Sequence, residues 1–328
     1  MNLQISNHSS YPRIGEKEAH LALRRALHSF DRKRISEADL NTAYNATIQA
    51  VINEQAQNDC DVITDGLIRW NDPISHLMKK LEGVQIQGLL RLFDTNFYFR
   101  EPLITGKVRR RTSLLSDEAA FLKQKATQKR AKVVLMGPYT LARLSKIEHR
   151  AYASVTDLAD DLANQLAEEI RELSSLGVSI IQIDEPSYVV TPPDWRWAAK
   201  NLSTLLKHKG QTKIVLSTYF GNATPHYKEL QQLPVDALGV DVTYSPKLLE
   251  TIEEQGSQKE LWVGLLDGRN TKLEKISEGV LTLKRLTKSL KGKTVVLTTS
   301  CGLEYLPRNR AFDKLSLLKA IKHEFNKG

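Results

Sequence analysis

Ile181-Gln182-Ile183-Asp184-Glu185-Pro186 is the sharpest local feature of the chain, an apolar run leading directly into two acids and a proline. Carboxylates delivered at the exit of a buried strand can hold an amino group, a pterin-like ring edge or a metal ion. An acid ahead of a proline can equally serve as a helix cap or a loop ion pair. Asp184 and Glu185 are therefore the candidates for catalysis. Cys301 closes a second such run, Val295–Cys301, just before Gly302. A lone cysteine there reads as a metal ligand, a nucleophile or a small buried residue. Zinc requires three or four converging His, Cys or carboxylate ligands. Asp241, at the end of its own run, is a second metal candidate. His226, a few residues beyond Tyr219, sits where a helix begins and adds little to that set. Arg13, Lys17, Arg24 and Arg25 follow the first strand, and on a helix Lys17, Arg24 and Arg25 share one face. They form either a solvated basic surface or a site for a ligand bearing several carboxylates.

The elements that must position these residues are legible as β-branched or apolar runs alternating with helical patterns. Eight strands are predicted, at Leu3–Ser6, Asp61–Thr64, Val133–Met136, Ser179–Asp184, Ile214–Thr218, Leu238–Val242, Leu261–Leu266 and Val295–Thr299. Asp157–Leu176 carries Leu158, Leu162, Leu166, Ile170 and Leu173 at helical spacing and ends in Gly177, a C-cap ahead of the next strand. This α/β pattern predicts a (β/α)8 TIM barrel over residues 1–328, with an open doubly wound sheet as the alternative. The unusual polar residues fall at strand exits: His8, Ser9 and Ser10, Asp65, Pro138 and Tyr139, Asp184 and Glu185, Tyr219, Asp241, Asp267 and Arg269, and Cys301. After the second strand the rhythm breaks. Val84–Leu92 and Phe97–Phe99 flank Asp94-Thr95-Asn96 as a β-hairpin excursion that partly covers the barrel mouth. No GxGxxG follows the first strand and no P-loop occurs, so dinucleotide and nucleotide-phosphate readings fail.

Composition narrows the classes further. The 328 residues carry 47 Lys+Arg against 38 Asp+Glu, a net charge of +9, with 41% hydrophobic and 26% charged residues. Those proportions are ordinary for a globular chain. The basic groups Arg32-Lys33-Arg34 and Arg109-Arg110-Arg111 are short, scattered and free of interleaved aromatics, so no nucleic-acid partner is expected. Two cysteines are too few for a disulfide framework or a four-cysteine zinc site, and a cytoplasmic setting is the expectation. No stretch approaches the roughly 18 apolar residues of a membrane helix, and the N-terminus lacks a signal-peptide pattern.

Taken in order, these motifs resemble the cobalamin-independent methionine synthase family. Tyr11-Pro12-Arg13-Ile14-Gly15 is similar to the family's F-P-R-[IV]-G opening, which leads into a basic helix and here Ile35–Leu40. Ile181–Pro186 is similar to its Q-I-D-E-P stretch. Thr218-Tyr219-Phe220-Gly221, Leu233-Pro234-Val235-Asp236, Asp267-Gly268-Arg269-Asn270 and Ser300-Cys301 then fall in family order. The resemblance covers nearly the whole chain, as one barrel of a family whose full-length members carry two.

The resemblance implies methyl transfer from 5-methyltetrahydrofolate polyglutamate, or another methyl donor, to homocysteine in methionine biosynthesis. Zinc in that chemistry stabilises the homocysteine thiolate. The family's catalytic barrel holds zinc through a His-x-Cys pair, a Glu and a later Cys. By position these become Ser217, Tyr219, Asp241 and Cys301, so only the last ligand survives. A histidine proton donor is replaced by Arg269, and the family's homocysteine-binding Glu falls near Leu67. Ser10 matches a position that holds the homocysteine carboxylate, and Asp184 one that holds its amine. The departures make the chain most similar to the family's N-terminal barrel, which lacks zinc and whose basic first helix helps hold the folate tail. Lys17, Arg24 and Arg25 take that role here, with Tyr219 and Arg269 as further substrate-binding residues. The implied protein is a homocysteine methyltransferase component working with a separate zinc-bearing catalytic subunit. A self-sufficient methyltransferase with an atypical metal site and a non-catalytic folate or polyanion binder are the alternatives.

Overall fold

In the structure, a computed structural model describing residues 2–148, 150–290 and 292–327, eight parallel strands ring a common axis. They are β1 (Asn2–Ile5), β2 (Val62–Ile63), β5 (Arg130–Met136), β7 (Ile180–Asp184), β8 (Lys213–Thr218), β9 (Ala237–Asp241), β10 (Glu260–Leu266) and β11 (Thr294–Thr299). Their order is β1-β11-β10-β9-β8-β7-β5-β2. The bridge between Ser6 and Val62 closes the ring, helped by Asp61, whose amide donates to the Ile5 carbonyl at 2.8 Å. All eight predicted strands are present, and the architecture is the (β/α)8 barrel.

Alternation along each strand sorts the side chains into two cores. Val62, Ile180, Val215, Ala237, Trp262 and Val296 pack together inside the ring. The intervening residues face the helices and join the larger outer core. Helix α6 (Val155–Ser175) shows how a helix seals that layer: Leu158, Leu162, Leu166, Ile170 and Leu173 are all buried. Each such side chain contributes about 1.5–3 kcal/mol by leaving water. Gly177, at φ +73°, ends the turn that a side chain would strain.

After β2 the chain leaves the barrel through the antiparallel pair β3 (Leu81–Arg91) and β4 (Tyr98–Arg110), joined by the short β6 (Lys146–Ile147). The hairpin is longer than its sequence signal, because Pro102, Gly106 and the basic end of β4 interrupt the apolar pattern. Its base is tied to α6 by Arg110, which donates to the buried Glu169 at 2.7 Å. Its tip reaches the barrel mouth. Phe93 packs on Phe220 at 5.7 Å, Phe97 meets Tyr305 at 4.6 Å, and Arg269 donates to the Asp94 carbonyl at 3.0 Å. Among the described residues no helix is long and apolar enough to cross a membrane.

Candidate functional site

On β7 the interior positions are Ile180, Gln182 and Asp184, running from the barrel core to its mouth. Asp184 accepts from Gln182 Nε2 on Oδ1 at 2.7 Å and from the Tyr219 hydroxyl on Oδ2 at 3.0 Å. Burial raises its carboxyl to about 6, against the opposing pull of those donors and of Lys132. Gln182 in turn accepts from Lys132 Nζ at 2.6 Å. Lys132 is fully buried. It also donates to the carbonyls of Asn7 and His8 at 3.0 and 2.6 Å and lies 4.6 Å over the Trp262 ring. With no carboxylate in contact, desolvation draws its ammonium down to about 7.

His8 bridges the strands across the ring. Its Nδ1 and Nε2 are hydrogen-bonded to Ser9 Oγ and Ser217 Oγ at 2.9 Å each, and its ring meets Tyr219 edge-on at 5.2 Å. Burial and Lys132 hold the imidazole well below its ordinary pKa. Neutral His8, Ser217, Tyr219, Asp184, Gln182 and Lys132 thus form one connected polar layer beneath the mouth.

Ser10 and Glu304 occupy the adjoining cleft. The loop after β1 is tied to the loop after β11 by Leu303 N donating to Ser10 O at 3.0 Å, and to the loop after β2 by Tyr11 N donating to Gly66 O at 2.9 Å. Between them lies a cleft of about 270 Å³. Glu304 is raised to about 7, chiefly by burial, with Asp184 adding to the rise and Arg13 opposing it.

The remaining sequence-derived candidates fall in several places. Glu185 turns away from the Asp184 network. Its Oε1 accepts from Tyr139 N at 3.0 Å, and its Oε2 accepts from Thr140 N at 2.8 Å and Thr140 Oγ1 at 2.6 Å. It therefore caps helix α5 (Pro138–Arg143), and Gly137 is required because a methyl there would overlap the carboxylate. Arg269 joins the hairpin roof, stacked 4.0 Å over Tyr244 as well as bonded to Asp94. The basic residues border different grooves. Arg24 and Arg25 lie exposed on α1 (Glu18–Asp31), with Arg25 paired to Glu18. Lys17 borders a separate groove with Glu16, His20 and Arg308, and Arg13 lines the central cleft.

The donor set does not fit zinc. Ser217 and Tyr219 are engaged with His8 and Asp184, respectively. Cys301 is buried, with its Sγ directed to the Gly302 carbonyl at 3.4 Å. Asp241 spends Oδ1 on Thr243 and Tyr244, although its buried Oδ2 is unpartnered. His226 packs against Trp195 with ring centroids 5.4 Å apart and the planes tilted by 40°. Among the described residues no three His, Cys, Asp or Glu side chains are grouped to hold a metal ion.

Glu304 and Lys132 carry no sequence signal of their own. A period-2 reading of Ile180–Asp184 could have placed Gln182 inside the ring, but a lysine within β5 reads as an ordinary polar strand residue.

Comparison with known proteins agrees with this geometry. The family model described as "Cobalamin-independent synthase, N-terminal domain" matches residues 82–291. A methionine synthase of Sulfolobus acidocaldarius is 30% identical over 93% of this chain and 87% of its own length. One from Saccharolobus solfataricus is 29% identical over 92% of this chain and 90% of its own. A B12-independent methionine synthase from Shewanella sp. W3-18-1, solved with selenomethionine, shares the fold with a TM-score of 0.81 at 22% identity. That match covers 100% of this chain and 98% of the other. The family match and the identity to these relatives over most of both lengths establish that the chain belongs to the cobalamin-independent methionine synthase family.

Proposed function

We propose that this barrel is a component of methionine synthesis that works with a separate zinc-bearing catalytic barrel to move a methyl group from a folate-type donor to homocysteine. Family membership supports the reaction class. The observation that carries the division of labour is the pair Ser217 and Tyr219, held in hydrogen bonds where the resemblance expects a histidine and a cysteine. A hydroxyl bonded to His8 and a phenol bonded to Asp184 cannot supply the thiolate-activating metal. What the chain retains is recognition: Ser10 and Asp184 at the mouth for the amino acid, and Lys17, Arg24 and Arg25 at the surface for a polyglutamate tail.

A second reading draws on the relatives' lengths. The chain covers 87–90% of archaeal proteins named methionine synthase. That proportion favours a barrel able to act alone, with a different means of activating the thiol. Assaying the purified chain with homocysteine, zinc and methyl-folate, with and without a zinc-bearing catalytic barrel, separates the two. Turnover only in the mixture is expected, and turnover by the chain alone overturns the proposal.

A further inference from the structure

The sheet outside the barrel ends in an open edge. Its strands run in the order β3-β4-β6, so β4 is paired on both sides and β3 on one only. Two bonds show which main-chain groups are left over. Leu92 N donates to the Phe97 carbonyl at 2.8 Å, so Leu92 and, by alternation, Leu90 face β4, while Leu89 and Arg91 face away. The Ile104 carbonyl accepts from Glu148 N at 3.0 Å on the β6 side. Val84, opposite Ile104, therefore also faces away from β4, and Ile86 with it. The register shift between Ile86 and Leu89 accounts for the change from even to odd positions. Among the described residues no strand pairs with these outward N–H and C=O groups.

Long edges are usually blunted by proline, lysine or a covering element. β3 has eleven residues, LEGVQIQGLLR, and contains neither proline nor lysine. It presents apolar side chains instead. Leu89 is 60% exposed and Leu90 45%, and Tyr98, opposite Arg91 on β4, is 56% exposed.

This edge is complementary to itself. Laid antiparallel on a second β3 across a two-fold axis between Gln87 and Gly88, its outward residues meet in pairs. Ile86 stands opposite Leu89 of the second copy, and Val84 opposite Arg91. Glu82 then lies diagonal to Arg91 of the second copy, at the spacing of about 7–8 Å that long side chains bridge. Within one chain Glu82 is held by Arg111 and Arg91 by Asp94, all four of them exposed, so exchanging partners costs little.

We propose that β3 is a self-association edge, through which two copies of this chain join their outer sheets into one. A second copy is the occupant because a single segment supplies both halves of every apolar and charged pair. A contact one strand wide falls below the roughly 800 Å² per partner of standard interfaces, so the dimer forms at micromolar concentrations.

Sedimentation velocity of the purified chain from about 1 to about 200 μM tests the dimer, and a reversible monomer–dimer equilibrium is expected. Leu89→Lys places a charge opposite Ile86 and should weaken association about tenfold or more, with an unchanged thermal midpoint. Leu89→Pro removes only an outward N–H and should act alike, so it stands in if the lysine variant fails to fold. Charge reads the register: Glu82→Arg and Arg91→Glu should each weaken association, and the double exchange should restore it. A nitroxide on Gln87→Cys reads the position, and Cys60 and Cys301 are buried and leave the label selective. Its spectrum should broaden as the dimer forms, whereas that of a label on Lys200→Cys, at an exposed helical position, should not. A wild type that stays monomeric throughout, a dimer indifferent to both Leu89 variants, a double exchange that fails to restore association, or a Gln87 label that stays sharp in the dimer overturns the proposal.

Discussion

The Tyr219 hydroxyl donates to Asp184 Oδ2 at 3.0 Å, so the side chain at an expected ligand position is spent on the carboxylate beside it. Tyr219→Phe removes a donor that favours the ionised acid, and the Asp184 carboxyl should rise further above about 6. Affinity for homocysteine should fall several-fold at neutral pH. Stability at that pH should fall by about 1–2 kcal/mol, within the range for a buried bond to a charged group. Calorimetry and urea unfolding check the two effects.

Taken together, Asp184, Glu304 and Lys132 oppose folding most near neutral pH. Asp184 and Glu304 are raised to about 6 and about 7, so from roughly pH 4 to 7 these two carboxyls hold more protons in the folded state than in the unfolded one. Their contribution therefore improves on acidification and is lost as pH rises through 7. Lys132, lowered to about 7, binds fewer protons when folded, and its contribution improves from pH 7 toward its unfolded value. Glu304→Gln should stabilise the ligand-free chain by about 1–3 kcal/mol at pH 8, with the gain shrinking toward pH 5. Thermal midpoints across this range decide it.

Zinc should bind the isolated chain weakly. Structural sites reach apparent affinities of about 10–16 kcal/mol with a full ligand set. Here two of the four positions are the hydrogen-bonded Ser217 and Tyr219. Dialysis against a mild chelator followed by elemental analysis should leave far less than one equivalent. Stoichiometric retention would direct attention to Cys301 and the unpartnered Oδ2 of Asp241.

Replacing Lys17, Arg24 and Arg25 together with Ala should weaken binding of a triglutamyl methyl-folate more than a monoglutamyl one. Exposed ion pairs are worth about 0.2–1 kcal/mol each, so a loss of about 1–2 kcal/mol is expected. The Glu18 partner of Arg25 and the separate groove of Lys17 argue for the lower part of that range. Titrations at two salt concentrations check it, since screening should erase most of the difference.

Glu185→Ala should act on folding rather than binding. It leaves the first turn of α5 without three hydrogen bonds. A stability loss of about 1–3 kcal/mol with unchanged amino-acid affinity is expected by urea unfolding and calorimetry.

The barrel was legible because its strands are short β-branched runs and its helices carry regular apolar stripes, as in α6. The site was only partly so. Asp184 stood out because it follows a buried run, but Glu185 follows the same run and turns to a helix that begins 47 residues earlier. Only the tertiary fold decides that. Glu304 lies in a loop where a lone acid resembles surface charge, and it shares its cleft with Ser10 from the opposite end of the sequence. Helical spacing likewise does not reveal that Glu18 pairs with Arg25 or that Lys17 borders a separate groove.

Closure of the ring joins distant parts of the chain. β1 lies in register with β11, from Asn2 opposite Thr294 to Ile5 opposite Leu297, while Ser6 and Val62 complete the seam. Such remote pairings form slowly and, during synthesis, cannot begin until Thr294–Thr299 has left the ribosome. The cleft inherits this timing, because Ser10 and Glu304 meet only through the same closure. A chain stalled before Thr294–Thr299 lacks this cleft however many of its βα units have assembled.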